Sequence, residues 1–200
     1  MSNKRTRIIA LARERGVVRP RDLGAIGISP TYLRGLVADG TVLRSGRGLY
    51  TLADYDLTEA HTLVEAVRTQ SKAIVCLLSA LSFHGLGTQL PHQVWLAVPY
   101  GGRISKNDAV PMRIVVMRPP AYGAGTETHR LEGVDVPVYG VAKTIADCFK
   151  FRSKVGLDVA IEALREALRD RRCTRDDIRN YAQIDRVDKV IRPYMEALSA

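Results

Sequence analysis

The stretch RPRDLGAIGISPTYLRGLVADGTVLRSGRGLYTL, residues 19–52, sets the prediction for the fold. Pro20 favours the first turn of a short helix. Ser29 and Pro30 then predict the start of another helix, because serine caps helix N-termini and proline fits a first turn. Residues 44–52 place two glycines before an alternating Leu-Tyr-Thr-Leu run, which is typical of a tight turn and the returning strand of a hairpin.

A further helix is predicted on the N-terminal side of this stretch. Asn3 is a favourable cap for it, and Gly16 marks its end. Three short helices, a strand, a basic turn and a strand are the element order of a winged helix-turn-helix. A protein-docking module is the alternative for the same order. The residues predicted to face the core, helix by helix, are Ile8, Leu11 and Ala12, then Leu23 and Ile26, then Leu33, Leu36 and Val37.

Positive charge is concentrated in this part of the chain. Residues 1–55 carry ten Lys or Arg and four Asp or Glu, which is +6 of the net +9 of the whole chain. A concentrated basic segment suits a polyanion, and the phosphates of a nucleic acid would make the affinity fall with salt. A solvated charged surface without a partner is the alternative interpretation.

Double-stranded DNA is the partner that this pattern predicts. In a winged helix-turn-helix the recognition helix lies in the major groove, so we expect the N-terminal end of the third helix to face base edges and phosphates. The hairpin tip, residues 44–48, is expected to reach the flanking backbone or minor groove. Arginines at the start of the second helix are candidate phosphate contacts. The predicted DNA-binding residues are Arg19, Arg21, Ser29, Thr31, Tyr32, Arg34, Arg44 and Arg47.

Composition excludes several other classes of protein. Hydrophobic residues make up 46% of the chain, which is enough to bury a core. No apolar run approaches the roughly 18 residues of a membrane span, and the N-terminus lacks a signal-peptide pattern, so we expect a cytoplasmic protein. Cys76, Cys148 and Cys173 are far apart without a Cys-x-x-Cys pair, which predicts free and mostly buried thiols. The histidines lack metal-ligand spacing, so neither a metal nor another cofactor is expected.

The remainder of the chain predicts a mixed α/β domain that ends in a helical segment. We assign residues 1–55 to the winged helix-turn-helix domain, 56–70 to a linker helix and 71–200 to the α/β domain. The linker helix is amphipathic through Leu57, Leu63, Val64 and Val67. Strands are predicted at 73–76, 93–98 and 112–117, with a weaker edge strand at 134–140 that carries Pro137.

Helical patterns follow these strands. Thr174 and Asp177 predict a capping box. The last apolar stripe contains Pro193, which is expected to bend or interrupt its helix. The three predicted stripes are Ile145, Cys148 and Phe149, then Leu157, Ile161, Leu164 and Leu168, then Val187, Val190, Ile191 and Tyr194.

Several segments together resemble a known family. RERGVVRPRDLGAIGISPTYLRGLVADGTVLRSGRGLYTL (13–52) is similar to the winged-helix domain of AbiEi-type antitoxins, the transcriptional-regulator half of type IV toxin-antitoxin systems. The later segments that continue the resemblance are IVCLLSALSFHGL (74–86), HQVWLAV (92–98), VPVYGVAKTIADCFKFRSKVGLDVAIEALR (136–165) and IRPYMEAL (191–198). The resemblance implies a repressor that binds repeats near its own promoter. It also implies a C-terminal domain that neutralises a cognate toxin resembling a nucleotidyltransferase.

The segment GVAKT, residues 140–144, looks like a phosphate-binding loop but lacks the six-residue frame between glycines, so we interpret it as a helix start. A functional role for its lysine and threonine, and for the Asp and Lys that follow, rests on the family resemblance alone. The alternative is that these side chains cap and solvate the helix. His84, at a predicted helix end, favours a packed or capping histidine over a base. The candidate partner-binding residues are His84, Lys143, Thr144, Asp147 and Lys150.

Enzymatic functions were weighed as well. A metal-dependent nuclease is disfavoured because the strands QVWLAV and MRIVVM contain no acid that could hold a cation. A non-classical protein kinase that phosphorylates the toxin is an alternative, with Lys143, Lys150 or Lys106 on phosphate and Asp108 or Asp147 on metal. The glycine-rich loop and catalytic loop of ordinary kinases are missing. We therefore predict an antitoxin and autorepressor, with the kinase and a DNA-binding regulator without a toxin as alternatives.

Overall fold

The computed structural model describes residues 4–46, 48–53, 60–70, 72–105 and 110–198. Over these residues it is a mixed α/β protein, as predicted. The chain forms two compact units: the first comprises Met1–Gln70, Ile104–Pro111 and His129–Val136, and the second Ser71–Arg103, Met112–Thr128 and Pro137–Ala200. The sequence places 104–111 and 129–136 in the C-terminal domain, whereas here they group with the first unit. None of the described helices combines the length and apolarity that crossing a membrane requires.

The first unit opens with helices and a hairpin in the predicted order. Gly16 ends the first helix by taking a φ of 61°, and Pro20 occupies the first turn of the second. Asn3 and Leu57 lie outside the described residues. The elements are α1 (Lys4–Arg15), α2 (Pro20–Gly24), α3 (Tyr32–Ala38), β1 (Val42–Gly46), β2 (Leu49–Leu52) and α4 (His61–Thr69).

One apolar core joins α1, α2, α3 and the hairpin. The antiparallel strands β1 and β2 are in register from Val42 opposite Leu52, with a bulge between Arg44 and Gly46. The segment before α2 extends this pairing, because Val18 and Tyr50 exchange backbone hydrogen bonds of 2.8 and 3.0 Å. The core residues are Ile8, Leu11, Ala12, Val18, Leu23, Ile28, Leu33, Leu36, Val42 and Leu52.

Two details of α3 differ from the prediction. The helix begins at Tyr32, because the chain first makes a tight turn in which the Tyr32 N–H donates to the Ser29 carbonyl at 3.0 Å. Val37, predicted to face inward, is 37% exposed. Leu33 and Leu36 alone bury α3 among its large apolar side chains, so the exposed face of this short helix is wide.

The segment His129–Val136 contributes a turn to the first unit. Gly133 takes a φ of 70°, and a Cβ on it would lie 1.3 Å from the carbonyl oxygen of Glu14 at the end of α1. Glycine is required there by both conformation and space. On the same turn, Glu132 Oε2 lies 2.8 Å from Nδ1 of His61 on α4. The turn therefore makes specific contacts with α1 and α4.

The elements after α4 include a mixed sheet and a run of helices. In the described part of the chain, five strands form this sheet in the order β5-β4-β3-β7-β6. β3 is antiparallel to β4 and parallel to β7, and β4 is parallel to β5. The elements are β3 (Ile74–Val75), α5 (Leu77–His84), β4 (Val94–Pro99), β5 (Met112–Met117), β6 (Thr126–Leu131), β7 (Val134–Tyr139), α6 (Val141–Lys150), α7 (Arg152–Val155), α8 (Leu157–Arg169), α9 (Arg175–Ile184) and α10 (Asp188–Ala197).

The prediction that 134–140 forms an edge strand is wrong. This strand, β7, lies between β3 and β6, and β6 was not predicted because its sequence TETHRL is polar and mostly exposed. Pro137 is tolerated inside the sheet because β3 is short. Its pairing with β7 centres on Val75 opposite Val138, which does not call on the N–H that Pro137 lacks.

The helices of the second unit pack on one core with the sheet. Its helix α8 buries a stripe centred on alanines, so the predicted stripe of larger residues is wrong except at Leu164: Leu157 is exposed, and Ile161 and Leu168 are half-buried. The capping box of Thr174 and Asp177 is confirmed at the start of α9. α10 continues through Pro193 without interruption. The buried residues of α8 are Val159, Ala160, Ala163, Leu164 and Ala167.

The thiols behave as predicted. Cys76, Cys148 and Cys173 are free, with the first two buried and the third half-buried. Burial raises the pKa of the Cys76 and Cys148 thiols above their usual range. Neither thiol is therefore activated as a nucleophile.

Candidate nucleic-acid interface and buried charge cluster

The N-terminal end of α3 presents polar side chains to solvent. Leu33 and Leu36 are 1% and 3% exposed and fix the orientation of the helix. In the preceding turn, the Ser29 hydroxyl accepts from the Thr31 N–H at 3.4 Å and lies 3.3 Å from the Thr31 hydroxyl. The structure brings together on this surface the predicted residues Ser29, Thr31, Tyr32 and Arg34, all of them exposed.

Gly35 lies within α3 on the same exposed side. No atom comes within 4 Å of the position that its Cβ would occupy, and its φ is not positive. A glycine in a helix interior costs about 1 kcal/mol relative to alanine. Neither packing nor backbone geometry within the protein therefore explains glycine at this position.

An open groove runs beside α3. Its volume is about 520 Å³. Arg5 of α1 is held next to it by hydrogen bonds to Asp39 at 3.1 Å and to Thr41 at 2.7 Å. The groove thus carries a cation and hydroxyl groups as well as an aromatic ring. Its lining residues are Arg5, Ser29, Thr31, Tyr32, Gly35, Leu36 and Asp39.

The hairpin tip is described in part. Arg44 lies in β1 with an exposed side chain, and its Nε donates to the carbonyl oxygen of Gly46 at 3.2 Å. Gly48 takes the positive φ of 72° that the turn needs. Arg47 lies outside the described residues, so its predicted role at the tip stays a prediction.

Arg19 and Arg21 lie at the start of α2, as predicted, and they belong to a larger group. Arg15 of α1 and Arg68 of α4 approach the same place through Asp22, at 3.8 Å and 3.2 Å. The backbone N–H of Arg19 donates to the same carboxylate at 2.9 Å. We call Arg15, Arg19, Arg21 and Arg68 the arginine cluster. The sequence gave no signal for Arg15 and Arg68, because they come from separate helices.

Burial and like charge act on this cluster. Desolvation, followed by the charges of Arg21 and Arg68, lowers the pKa of Arg19 to about 10. Desolvation also lowers the pKa of Arg68, and Asp22 opposes that shift. Arg68 additionally donates to the Val17 carbonyl, so its guanidinium is held in place. The cluster therefore keeps positive charges close together at a defined position.

In the second unit, the candidate residues of α6 are buried. Lys143, Thr144 and Asp147 are 0% exposed, so the interpretation that they solvate the helix is wrong. Lys143 Nζ lies 2.5 Å from Asp147 Oδ1 and 3.1 Å from Asp185 Oδ2. Lys150 Nζ lies 3.1 Å from Asp185 Oδ1. We call Lys143, Asp147, Lys150 and Asp185 the buried charge cluster.

Asp185 follows α9, and sequence inspection missed it because it is 42 and 35 residues from the two lysines. The cluster therefore ties α6 to the junction of α9 and α10. Burial raises the pKa of Asp147 to about 8, and Lys143 acts in the opposite direction. Such a cluster holds helices in register, because each buried charge needs its partner.

Thr144 and His84 meet at one backbone carbonyl. The Thr144 hydroxyl donates to the Tyr139 carbonyl at 3.1 Å, and His84 Nε2 lies 2.7 Å from the same oxygen and donates to it. His84 ends α5, where Gly85 takes the left-handed conformation of a helix C-cap. The interpretation of His84 as a packed histidine at a helix end therefore agrees with its position.

The kinase alternative needs a lysine and an aspartate that a nucleotide can reach. Lys143 and Asp147 are both fully buried. Lys150 is paired with Asp185, and Lys106 and Asp108 lie outside the described residues. In the part of the chain that the structure describes, no three His, Cys, Asp or Glu side chains are grouped to hold a metal ion.

Comparison with known proteins agrees with the first unit in particular. Residues 7–53 match the model of a family described as transcriptional regulators, the AbiEi antitoxins. The family resemblance is confirmed for this segment, which includes α1, α2, α3, β1 and β2. No curated protein sequence matches the chain.

A solved structure extends the comparison to most of the fold. The crystal structure of the RV2827C protein from Mycobacterium tuberculosis superposes with a TM-score of 0.60 over 92% of this chain and 72% of its own, at 16% identity. At this identity the similarity establishes a related fold.

Proposed function

We propose that this protein is an antitoxin and transcriptional autorepressor that binds promoter DNA through its first unit. The carrying observation is that the segment matching AbiEi regulators, residues 7–53, is also the segment with exposed basic and polar side chains on α3 and the hairpin. This coincidence supports a winged helix-turn-helix in which α2 and α3 form the motif and β1 and β2 form the wing.

In this proposal α3 is the recognition helix. Thr31, Tyr32 and Arg34 contact base edges and adjacent phosphates, while Ser29 holds the turn before them. Gly35 lets the helix approach the floor of the groove closely, which accounts for a glycine that nothing inside the protein requires. Arg44 and Arg47 of the wing contact the flanking backbone.

Arg19 and Arg21 act as phosphate contacts at the start of α2. Arginine suits this role because its planar guanidinium donates two parallel hydrogen bonds to phosphate oxygens. The predicted partner is the protein's own promoter, bound at repeats.

We further propose that the second unit neutralises the cognate toxin by binding it. The support is the family match together with a second unit that has its own core and its own set of helices. In this role the buried charge cluster acts indirectly: Lys143, Asp147 and Lys150 fix α6 against Asp185, and Thr144 and His84 fix α6 and α5 on the Tyr139 carbonyl. The toxin would then contact the exposed faces that these bonds position.

A DNase I footprint over the upstream region of the protein's own gene tests the repressor. We expect protected repeats with wild-type protein and loss of protection with an Arg34→Ala variant. A promoter–reporter fusion read in parallel should be repressed by the wild type alone. Protection spread evenly along the fragment would contradict sequence-specific repression.

The antitoxin half is tested with the full chain. A variant that no longer binds DNA, such as Arg34→Ala combined with Arg47→Ala, should still rescue growth when the neighbouring toxin is expressed from an independent promoter. Failure of this folded variant to rescue, with rescue by the wild type, would contradict separate roles for the two units. Intact-mass analysis of the rescued toxin should show no added phosphate, whereas a gain of one phosphate would favour the kinase.

A further inference from the structure

The arginine cluster is more basic than its acid neutralises. Asp22 is the carboxylate that the ion pairs of Arg15 and Arg68 share, at 3.8 Å and 3.2 Å. Despite this acid, Arg19 and Arg68 hold their protons less tightly than isolated arginines, partly because Arg21 lies close to both. Positive charges brought together in this way repel one another, and an anion placed between them would relieve the repulsion.

Arg68 also has an unsatisfied donor. Its side chain is 14% exposed, and its Nε is buried without a hydrogen-bond partner among the described residues. A buried guanidinium N–H that lacks an acceptor is costly. The donor, the local charge and the fixed position of Arg68 point to an oxyanion as the missing group.

Arg15 and Arg21 differ from the other two members in exposure. The Arg15 side chain is 37% exposed and Arg21 is exposed, whereas Arg19 and Arg68 lie deeper. The outer pair is therefore placed to contact a ligand from solvent. The inner pair supplies charge behind it, oriented by Asp22.

We propose that Arg15, Arg19, Arg21 and Arg68 form a binding site for a phosphate of the DNA backbone, organised by Asp22. This inference rests on the proposed repressor function and extends it. It makes α4, which the sequence assigns to a linker and which lies beyond the matched segment 7–53, part of the DNA-binding surface. Arg15 and Arg21 contact the phosphate, and Arg19 and Arg68 act as positioning residues.

The test is the salt dependence of duplex binding by the full-length protein. Each lost phosphate contact lowers the slope of log K against log salt by about 0.9, which corresponds to roughly a fivefold weaker affinity at about 0.15 M salt. We expect this change for Arg15→Gln and for Arg21→Gln, equally on the upstream duplex and on a scrambled one. Arg165→Gln removes the same charge from an exposed position on α8 in the second unit and should leave the slope unchanged.

A variant of opposite sign sharpens the test. Asp22→Asn removes the neutralising charge while its amide oxygen still accepts from the Arg19 N–H, so duplex affinity should rise and thermal stability should fall. If the cluster has only a structural role, Asp22→Asn will lower stability and binding together. Circular dichroism on each variant separates loss of a contact from loss of the fold.

The outcomes are distinguishable. If wild-type protein binds no duplex, the repressor proposal itself fails. If the wild type binds but Arg15→Gln and Arg21→Gln keep the slope of Arg165→Gln, the phosphate site is overturned and the repressor stands. A rise in melting temperature with inorganic pyrophosphate, combined with unchanged duplex slopes in the variants, would assign the cluster to a free phosphate compound and overturn the DNA assignment.

Discussion

Two groups of cations in this molecule are used in opposite ways. On the first unit, Arg34 and Arg44 extend into solvent, and the arginine cluster gathers positive charges around Asp22. In the second unit, the lysines of the buried charge cluster meet two aspartates, so positive and negative charges are equal in number. The first arrangement leaves positive charge for a partner, whereas the second balances it internally.

The difference teaches how to separate binding residues from structural ones. A buried ion pair loses hydration and is stable only with each partner in place, so it holds the fold but gives little to a ligand. Exposed arginines lose little hydration in the free protein and gain from meeting phosphates. Substitutions in the two groups should therefore affect different measurements.

The largest expected effect is on stability, in the buried charge cluster. Lys143→Met leaves Asp147 and Asp185 without their fully buried partner and should lower the free energy of unfolding by about 3–5 kcal/mol. Lys150→Met is the matched control, because Lys150 is 31% exposed and should cost clearly less. Urea denaturation measures both. Equal losses for the two variants would show that burial does not set the strength of this cluster.

The next effect is on binding, at the two ends of the proposed interface. Arg34→Ala should reduce discrimination between the upstream and scrambled duplexes by about 1–3 kcal/mol. Arg47→Ala should weaken binding to both duplexes alike and reduce the salt slope by about 1. Unfolding free energies should stay near wild type for both variants. Wild-type binding by both would remove α3 and the hairpin tip from the interface.

Gly35 offers a substitution with opposite effects on fold and function. Gly35→Ala should stabilise the protein by about 1 kcal/mol, since alanine is the better helix former and its Cβ meets open space. The same methyl group should weaken binding to the upstream duplex by keeping α3 away from the groove. Thermal denaturation and anisotropy measure the two effects. A variant that is more stable and binds normally would refute the close approach of α3 to DNA.

The smallest effect concerns pH, at a site between the two extremes. Glu65 and Glu132, by hydrogen bonds to His61, raise its pKa even though burial acts the other way. A histidine with a raised folded pKa stabilises the protein fully below its unfolded value of about 6.5, and this contribution is lost as pH rises through the folded pKa. We expect less than about 1 kcal/mol, in the range of ion pairs. Unfolding curves between pH 5.5 and 8 should lose this dependence in His61→Gln, and an unchanged dependence would contradict the assignment.

Local sequence signals predicted the elements of the first unit well. Gly16, Pro20 and the run Leu49–Leu52 fix helix and strand boundaries through their own backbone preferences, and the structure places them as expected. Val37 was misplaced because the helix is short and two leucines already fill the space beneath it.

Signals that depend on distant residues were harder to obtain. The burial of Lys143 and Asp147 could not be predicted, because their partner Asp185 lies far along the chain. Arg68 was assigned to a linker since its contacts are with Val17 and Asp22, many positions earlier. The polar strand β6 carries no apolar alternation, so only its neighbour β7 reveals it.

The most direct test of the account is a fluorescence-anisotropy titration of the purified protein against its own upstream duplex and a scrambled duplex of equal length, at two salt concentrations. The account predicts tighter binding to the upstream duplex that persists at the higher salt, on top of a steep salt dependence for both. Equal binding to the two duplexes that disappears at higher salt would contradict sequence recognition by α3 and leave the exposed arginines as a general polyanion contact.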